Sequence, residues 1–411
     1  MLSERLNAPV SDAELERRWT AVRSAMEAAR IDVLIMQASN DFMGGYVKWF
    51  TDLPATQGYF ASVIFPRDAG MVLIGQGGFG HDVTLPLEGD GMRRGVARVM
   101  TCPSYATSGY AHAYEAELTC RALAPYAGGT IGMVGLSTLP YSLFEALRRE
   151  MPRANFVDAS DLVDRIKAIK SDEEIHFLRG TAAMQDRAMS AAFAAIAPGI
   201  RDRDITAAAE APSLAEGSEQ GLYMCASAPD GRAVHFANRH YQNRVVGAGD
   251  AVSLLIESSG PGGYYCELGR TAILGRATDA QHRQFEFVLQ ARRFMLDRLR
   301  PGADCAEIWN EYNAFMSDHG RPPEDRLHCH SMGYDMVERP LVRFDEPMRL
   351  AANMVVSCHP TFADEDGMHW ICDNFLIGEE ATERLHAFPE RIVELDGAEL
   401  PDVLRAARAA A

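Results

Sequence analysis

The chain has 411 residues, of which 47% are hydrophobic and 24% charged, and its formal net charge is −17 at pH 7. This composition is typical of a globular protein and argues against a nucleic-acid partner, because basic side chains are too few to neutralise phosphates. The length exceeds that of one ordinary core, so we expect two domains. No signal region or membrane-length apolar run is apparent, and the eight cysteines contain no Cys-x-x-Cys pair. These features predict a cytoplasmic protein with reduced thiols and no membrane partner.

The first 160 residues alternate between helical and extended patterns. Apolar residues recur at helical spacing between about Asp12 and Ala29, which predicts a long helix. Further patterns follow it: short apolar runs typical of strands at 32–36, 61–65, 71–74, 130–134 and 155–157, and helix-like stretches at 111–123 and 141–149. This alternation predicts an α/β domain over residues 1–160.

The pattern changes near Asp161, where we place the start of a second domain, 161–411. Ser171 followed by Glu174 forms a capping-box sequence and predicts a long helix that ends near Ala197. The remaining elements are helices at 280–299 and 305–319, strands at 353–360 and 369–377, and a hairpin within 249–271. Helices together with a largely antiparallel sheet predict an α+β domain.

The hairpin is the segment on which the functional interpretation depends. The residues Gly260–Gly263 force a chain reversal between two extended runs. Alternation along the second run directs Glu267 to the face opposite Cys266 and Leu268. A carboxylate among apolar neighbours is costly to bury without a partner, so Glu267 is either a solvent-facing residue or part of a site.

Other residues capable of chemistry also lie in the second half of the chain: His235, His328, His330, Glu338, Arg339, His359, Cys372 and Asp373. Taken singly, a histidine in a loop is more often a surface or core residue than a catalytic one. A cysteine in an apolar strand, such as Cys372, is more often a small buried hydrophobe. His359 is a stronger candidate because a titratable group precedes a proline at the end of an apolar strand.

Several of these segments, in this order, resemble the pita-bread fold family of creatinase, aminopeptidase P, prolidase, methionine aminopeptidase, ectoine hydrolases and sulfoniopropionate lyases. The resemblance rests on IKAIKSDEEIHFLR at 166–179, the hairpin GD…GGYYCELGRT, His330-Ser-Met-Gly, VVSCHP at 355–360 and CDNFLIGEE at 372–380. It implies a creatinase-like α/β N-terminal domain followed by an α+β pita-bread catalytic domain.

The resemblance also implies a ligand set. In the metallopeptidase members two metal ions are held by two Asp, one His and two Glu, and the matching positions here are Leu255, Glu267, His330, His359 and Cys372. Leu255 cannot bind a metal, so we expect no dinuclear centre. The other four residues could hold one zinc-like ion. Creatinase works without a metal, with His and Glu at these positions. The resemblance therefore leaves two interpretations of the site open, one without a metal and one with a single ion.

The remaining assignments follow from the same likeness. His235 matches the family's proton shuttle, and Tyr264, Glu338 and Arg339 are the expected substrate contacts. Gly269 stands where creatinase has a glutamate, which argues against creatine as the substrate.

We therefore expect a creatinase-like hydrolase that cleaves a non-peptide C–N bond in a small polar metabolite. His235 would act as general acid and base, while Glu267, His330 and His359 orient and polarise the substrate. The alternatives are a lyase that acts by proton abstraction, an Xaa-Pro-type peptidase and an inactive binding protein. A homodimer is expected from the resemblance and from aromatic runs at Tyr46–Phe50 and Tyr59–Phe60.

Overall fold

The computed structural model describes residues 2–40, 42–43, 45–54, 58–86, 90–229, 236–364 and 367–396. The chain divides into two compact units, Met1–Lys167 and Ala168–Ala411. The first unit therefore extends beyond the boundary predicted at about residue 160 and includes the helix Ser160–Lys167.

The first unit is built on a seven-stranded mixed sheet of order β4-β5-β3-β2-β1-β6-β7. Its strands are β1 Val33–Ala38, β2 Ala61–Pro66, β3 Met71–Gln76, β4 Asp82–Thr84, β5 Val96–Cys102, β6 Thr130–Val134 and β7 Asn155–Asp158. Its helices are α1 Asp12–Ala29, α2 Tyr46–Thr51, α3 His112–Leu123, α4 Tyr141–Glu150 and α5 Ser160–Lys167. The predicted α/β class is confirmed.

The aromatic run at Tyr46–Phe50 is not the exposed surface on which the homodimer prediction partly rested. It forms helix α2, in which Trp49 and Phe50 are buried. Phe50 packs edge-on against Phe65 of β2 with ring centroids 4.9 Å apart. These rings are core because the sheet behind them removes them from water. Only Tyr59 of the two runs is among the exposed large hydrophobics, so the dimer stays a prediction from the resemblance.

The second unit combines helices with largely antiparallel sheets, in which β10 and β18 form a parallel pair. Its helices are α6 Asp172–Ala195, α7 Asp202–Ala215, α8 Asp279–Leu296 and α9 Cys305–Asp318. Its strands are β8 Gly221–Ala228, β9 Ala251–Ser259, β10 Tyr265–Ile273, β11 Cys329–Ser331, β12 Glu338–Leu341, β13 Val355–Cys358, β14 Thr361–Asp364, β15 Gly367–Trp370, β16 Asp373–Ile377, β17 Thr382–Arg384 and β18 Val393–Glu394. Short 3-10 helices across both units cover Leu2–Arg5, Gly109–Ala111, Ala124–Tyr126 and Arg239–Tyr241.

Two sheets of the second unit supply the candidate site. One has the order β18-β10-β9-β8 and the other β12-β11-β13-β16-β17, while β14 and β15 pair separately. The strand predicted at 369–377 is two strands, β15 and β16, because the chain changes sheets between them. The predicted α+β class is confirmed. Among the described residues, no helix combines the length and the apolarity needed to cross a bilayer.

Helix α6 fixes one face of the hairpin. Its predicted capping box is confirmed, because Ser171 Oγ accepts from the backbone N–H of Glu174 and the Glu174 carboxylate accepts from that of Ser171. From inside this helix the buried Gln185 amide donates to the carbonyls of Ser258 and Cys266, one on each hairpin strand. The apolar face of the hairpin is thereby held against α6, and the opposite face is left to carry polar groups.

Candidate active site

The polar face of the hairpin carries two carboxylates opposite one another. Glu267 on β10 pairs with Glu257 on β9, and two residues further along Gly269 pairs with Leu255. Directly paired residues of an antiparallel sheet project from the same face. The position opposite Glu267 is therefore filled by Glu257, and the predicted alignment of Leu255 with that ligand position is wrong. Leu255 lies two residues further along the hairpin, opposite Gly269.

Glu267 is held in place by the neighbouring sheet. Its backbone N–H donates to Asn374 Oδ1 at 2.6 Å, and its Oε2 accepts from the Ser357 hydroxyl at 2.7 Å. The same oxygen lies 3.4 Å from His330 Nε2. Three contacts from strands β11, β13 and β16 leave the buried carboxylate little freedom.

His330 completes this contact with a defined tautomer. Its Nδ1 lies 3.0 Å from the Ser331 carbonyl oxygen, which can only accept, so Nδ1 carries a proton. In the neutral ring, Nε2 is then unprotonated, and its lone pair faces the Glu267 carboxylate. Two acceptors at this distance need a proton or a cation between them.

His359, which follows strand β13, brings a second imidazole to the same point. The His330 and His359 ring centroids lie 5.2 Å apart. One donor atom from each of Glu267, His330 and His359 lies within 4.8 Å of the other two. We call these three residues the Glu–His–His group. The sequence interpretation named all three, and the fold brings them together.

The electrostatics of this face separate the two carboxylates. Burial alone would raise the pKa of Glu267, but the charges of His359 and His330 and the hydrogen bonds from His330 and Ser357 lower it to about 2. Burial, followed by the negative charge of Glu267, raises the pKa of Glu257 to about 8. Burial lowers the pKa of His359 to about 4 against the raising effect of Glu267. At neutral pH the two carboxyl groups of Glu257 and Glu267 therefore carry one negative charge between them rather than two.

Cys372, the predicted fourth ligand, does not join the Glu–His–His group. Its sulfur lies 3.1 Å from Ser357 Oγ, and the side chain packs in an apolar cluster with Leu255 and Trp370. Burial, followed by the negative charge of Glu267, raises the pKa of the thiol well above its usual value. The contact with Ser357 and the apolar neighbours place Cys372 as a packing residue.

The predicted substrate contacts lie away from the group. The Tyr264 hydroxyl is 3.1 Å from Glu174, and the Tyr264 ring stacks on Tyr334. Glu338 accepts from Lys170 Nζ at 2.8 Å in a buried ion pair. Arg339 donates to Glu346 at 2.7 Å. Each of the three side chains therefore has a partner outside the Glu–His–His group, and their role as substrate contacts stays a prediction. His235, the predicted proton shuttle, lies outside the described residues.

A cavity of about 340 Å³ opens above the Glu–His–His group. Its lining includes Leu255, Glu257, Glu267, His330 and His359. The other lining residues are ones that the sequence interpretation did not single out: Met224, Phe236, Glu324, Asp325, Arg326, Leu327, Val337, Thr361, Met368 and Trp370. The signal for Glu257 was available, since it follows the apolar run of β9, but choosing it over Leu255 required the register of the hairpin. The others come from distant segments, and no local pattern marks them.

His328 lies beneath the site rather than in it. It is fully buried and stacks on Tyr312 with ring centroids 4.0 Å apart, and the backbone N–H of His359 donates to its carbonyl. Neither of its ring nitrogens has a hydrogen-bond partner among the described residues. Burial, with a smaller effect from His359, lowers the pKa of His328 to about 3. The ring is therefore neutral at physiological pH.

Comparison with known proteins identifies the family. Residues 176–379 match the model of metallopeptidase family M24. This segment contains the hairpin and the whole Glu–His–His group. The chain belongs to family M24.

Relatives within this M24 family differ in their activities. The chain is 28% identical over 77% of its length to an uncharacterized hydrolase/peptidase of Sinorhizobium fredii, covering 80% of that protein. It is 24% identical over 94% of its length to a creatinase of a Bacillus species, covering 93% of that protein. The Xaa-Pro dipeptidase from Bacillus anthracis shares the fold at a TM-score of 0.74 and 18% identity, covering 93% of this chain and 100% of that one. The chain is thus an M24 hydrolase by descent and a pita-bread protein by fold.

Proposed function

We propose that this M24 protein hydrolyses a non-peptide C–N bond in a small metabolite, and that it does so without a dinuclear metal centre. The observation that carries the proposal is the Glu–His–His group itself. Its donor atoms converge within 4.8 Å, and only one of the three is a carboxylate. Two divalent cations side by side need bridging carboxylates to offset their repulsion. The likeness to creatinase along nearly the whole chain supports a substrate other than a peptide.

Hydrolysis of a C–N bond needs one group to take a proton from water and one to give a proton to the leaving nitrogen. His359 is placed to take the proton, because it lines the cavity next to Glu267. Glu267, held by Ser357 and His330, supplies the negative charge that stabilises the imidazolium formed in that step. His235 is the proposed donor to the leaving nitrogen.

The same group also fits a single ion, because His330 Nε2 presents its lone pair 3.4 Å from a Glu267 oxygen. Glu267, His330 and His359 would then hold the ion, a donor set suited to zinc or a similar borderline metal. A bound ion would supply Lewis acidity and lower the pKa of a coordinated water. The proposal therefore allows one metal equivalent per chain and excludes two.

A second function, Xaa-Pro dipeptidase, is favoured by one observation. Glu257 faces Glu267 across the hairpin and lines the cavity, so a second carboxylate is available where the sequence alignment placed Leu255. The fold shared with the Bacillus anthracis Xaa-Pro dipeptidase agrees with this alternative. Glu257 stands outside the group of converging donors, and for this reason we rank the alternative second.

The test combines metal analysis with a substrate screen. Protein purified without chelator or histidine tag is analysed for metal and incubated with small amides, guanidino compounds, cyclic amidines and Xaa-Pro dipeptides, with product masses as the readout. We expect at most one metal equivalent and a product that has gained water from a non-peptide compound. Elimination without gain of water would show a lyase instead. Two equivalents with Xaa-Pro cleavage would overturn the proposal.

A matched pair of variants assigns any activity to the site. Glu267→Gln keeps the shape of the side chain and removes its charge, and we expect it to lower kcat about a hundredfold or more. Glu383→Gln makes the same change at an exposed ion pair with Arg179 and should leave kcat within about twofold of wild type. Equal kcat values for the two variants would remove Glu267 from the mechanism.

A further inference from the structure

We infer that Trp370 and Gly269 form an apolar subsite next to the Glu–His–His group, and that the substrate carries an apolar substituent beside the bond that is cleaved. This inference rests on the proposed function and narrows its substrate class. It replaces the expected small polar metabolite with an amphipathic one.

The position of the subsite follows from the hairpin register. Gly269 and Leu255 form a pair on the same face as Glu267 and Glu257, two residues further along each strand. Two residues of an antiparallel strand span about 7 Å. A substituent over the Gly269–Leu255 pair would therefore lie about 7 Å from a reacting carbon held at Glu267.

Trp370 occupies the space that a side chain at position 269 would fill. A Cβ added to Gly269 would lie 2.0 Å from Trp370 Cζ3 and 2.3 Å from Cη2. The backbone cannot retreat, because Gly269 and Cys372 exchange N–H···O hydrogen bonds of 3.1 and 3.2 Å. The Trp370 indole can therefore occupy this position only if residue 269 is a glycine. The place of Trp370 in the cavity lining thus depends on Gly269.

The wall around the indole is apolar. Trp370, Leu255 and Met368 belong to one buried cluster, against which Met224 and Phe236 pack. Phe236 meets Trp370 with ring centroids 4.9 Å apart at an angle of 58°. The indole N–H is directed away at Ser253 Oγ, 3.5 Å distant.

All five of these side chains also line the cavity. None of them offers a hydrogen-bonding group to it, since the one N–H among them faces Ser253. A polar substituent placed there would lose its hydration without a partner, whereas an alkyl or aryl group would gain contact.

Other residues that line the cavity are ionisable. They are Glu257, Glu267, His330 and His359, together with Glu324, Asp325 and Arg326. A ligand that contacts both sets of residues has one polar end with the reacting C–N bond and one apolar end. A volume of about 340 Å³ is that of a pocket for a small molecule.

The test measures binding, so that it does not depend on turnover. Acetamide, isovaleramide and phenylacetamide share a polar end and differ in the apolar one. Their affinities for the full-length protein are measured by ligand-observed NMR titration. We expect isovaleramide and phenylacetamide to bind about tenfold or more tightly than acetamide, the discrimination typical of an apolar pocket.

Variants then locate the effect. Trp370→Ala should reduce the preference to about twofold or less, and Gly269→Ala should do the same by displacing the indole. Trp370→Leu, which keeps an aliphatic wall and guards against misfolding of Gly269→Ala, should retain the preference for isovaleramide only. Phe344→Ala, an aromatic deletion at an exposed position outside the cavity, should leave the preference unchanged.

The outcomes separate the two proposals. Equal affinities for the three amides, no measurable binding of the two apolar ones, or an unchanged preference in Trp370→Ala would each overturn the subsite. A Trp370-dependent preference in a protein that hydrolyses no small C–N compound would support the subsite and remove the proposed function. Hydrolysis confined to compounds without an apolar group would support the function and remove the subsite.

Discussion

Asp373 is the residue whose replacement tests the architecture of the site most directly. Its buried carboxylate accepts from Arg270 at 2.7 Å, from Arg292 at 2.6 Å and from Arg384 at 2.8 Å. Arg270 also donates to the carbonyls of Gly269 and Cys372. This network ties β10, which carries Glu267, to β16. The exposed Glu390 adds a second counter-charge for Arg292 and Arg384.

We expect Asp373→Asn to lower the free energy of unfolding by about 3–5 kcal/mol at pH 7. The change keeps the side-chain volume but leaves the buried Arg270 without a counter-charge and Arg292 with only the exposed Glu390. Breaking a buried ion pair from one side costs about this much. Arg384 is partly exposed and adds less, because water screens it. Urea denaturation followed by circular dichroism measures the difference.

The pH dependence gives an independent check. The three arginines hold the pKa of Asp373 well below its usual range, although burial opposes this. Because the folded-state pKa is depressed, the stabilisation is present above the unfolded pKa of about 3.9 and is lost as the pH falls below it. Wild type should therefore lose stability below about pH 4, and Asp373→Asn should lose less over the same range.

Asp345→Asn is the matched control, since Asp345 forms a two-bond pair with Arg343 on the surface. It should leave the urea midpoint nearly unchanged, because water screens this pair. If Asp373→Asn also left the midpoint nearly unchanged, the network would not be what holds the two strands together.

Three further predictions concern other parts of the molecule. Ser171→Ala removes half of the α6 capping box and should cost about 1 kcal/mol in urea denaturation, and an unchanged midpoint would contradict the cap's role. The pKa of His328 is about 3 in the folded protein and about 6.5 in the unfolded chain. As the pH is lowered from about 6.5 to about 3, only the unfolded chain takes up this proton, so the free energy of unfolding decreases. His328→Phe should therefore show a shallower pH dependence, and a slope equal to wild type would refute this. Light scattering should give the mass of a dimer, and a fully active monomer would exclude the predicted homodimer.

Local patterns in the sequence determined much of the fold. Helix α1 spans Asp12–Ala29, as its apolar spacing predicts. Helix α6 begins after Ser171 because Ser171 and Glu174, three positions apart, form its capping box. Alternation along β10 was enough to direct Glu267 away from the face that packs on α6. Local patterns predict no element over residues 200–229, where the structure has α7 and β8.

Ordered motifs were enough to indicate the family and to name Glu267, His330 and His359. The order of the motifs did not predict which side chains these residues contact. Glu338 pairs with Lys170 and Arg339 pairs with Glu346. Their role as substrate contacts stays a prediction.

What only the tertiary structure decided is register and packing across strands. A shift of two residues in strand pairing exchanges Leu255 for Glu257 opposite Glu267, and sequence alternation is the same for both. Whether Cys372 is a ligand or a packing residue depends on Ser357 and Trp370, and Trp370 reaches its place only because residue 269 has no side chain. Strand periodicity tells which face a residue occupies, but which neighbours share that face is fixed by pairings between segments about a hundred residues apart.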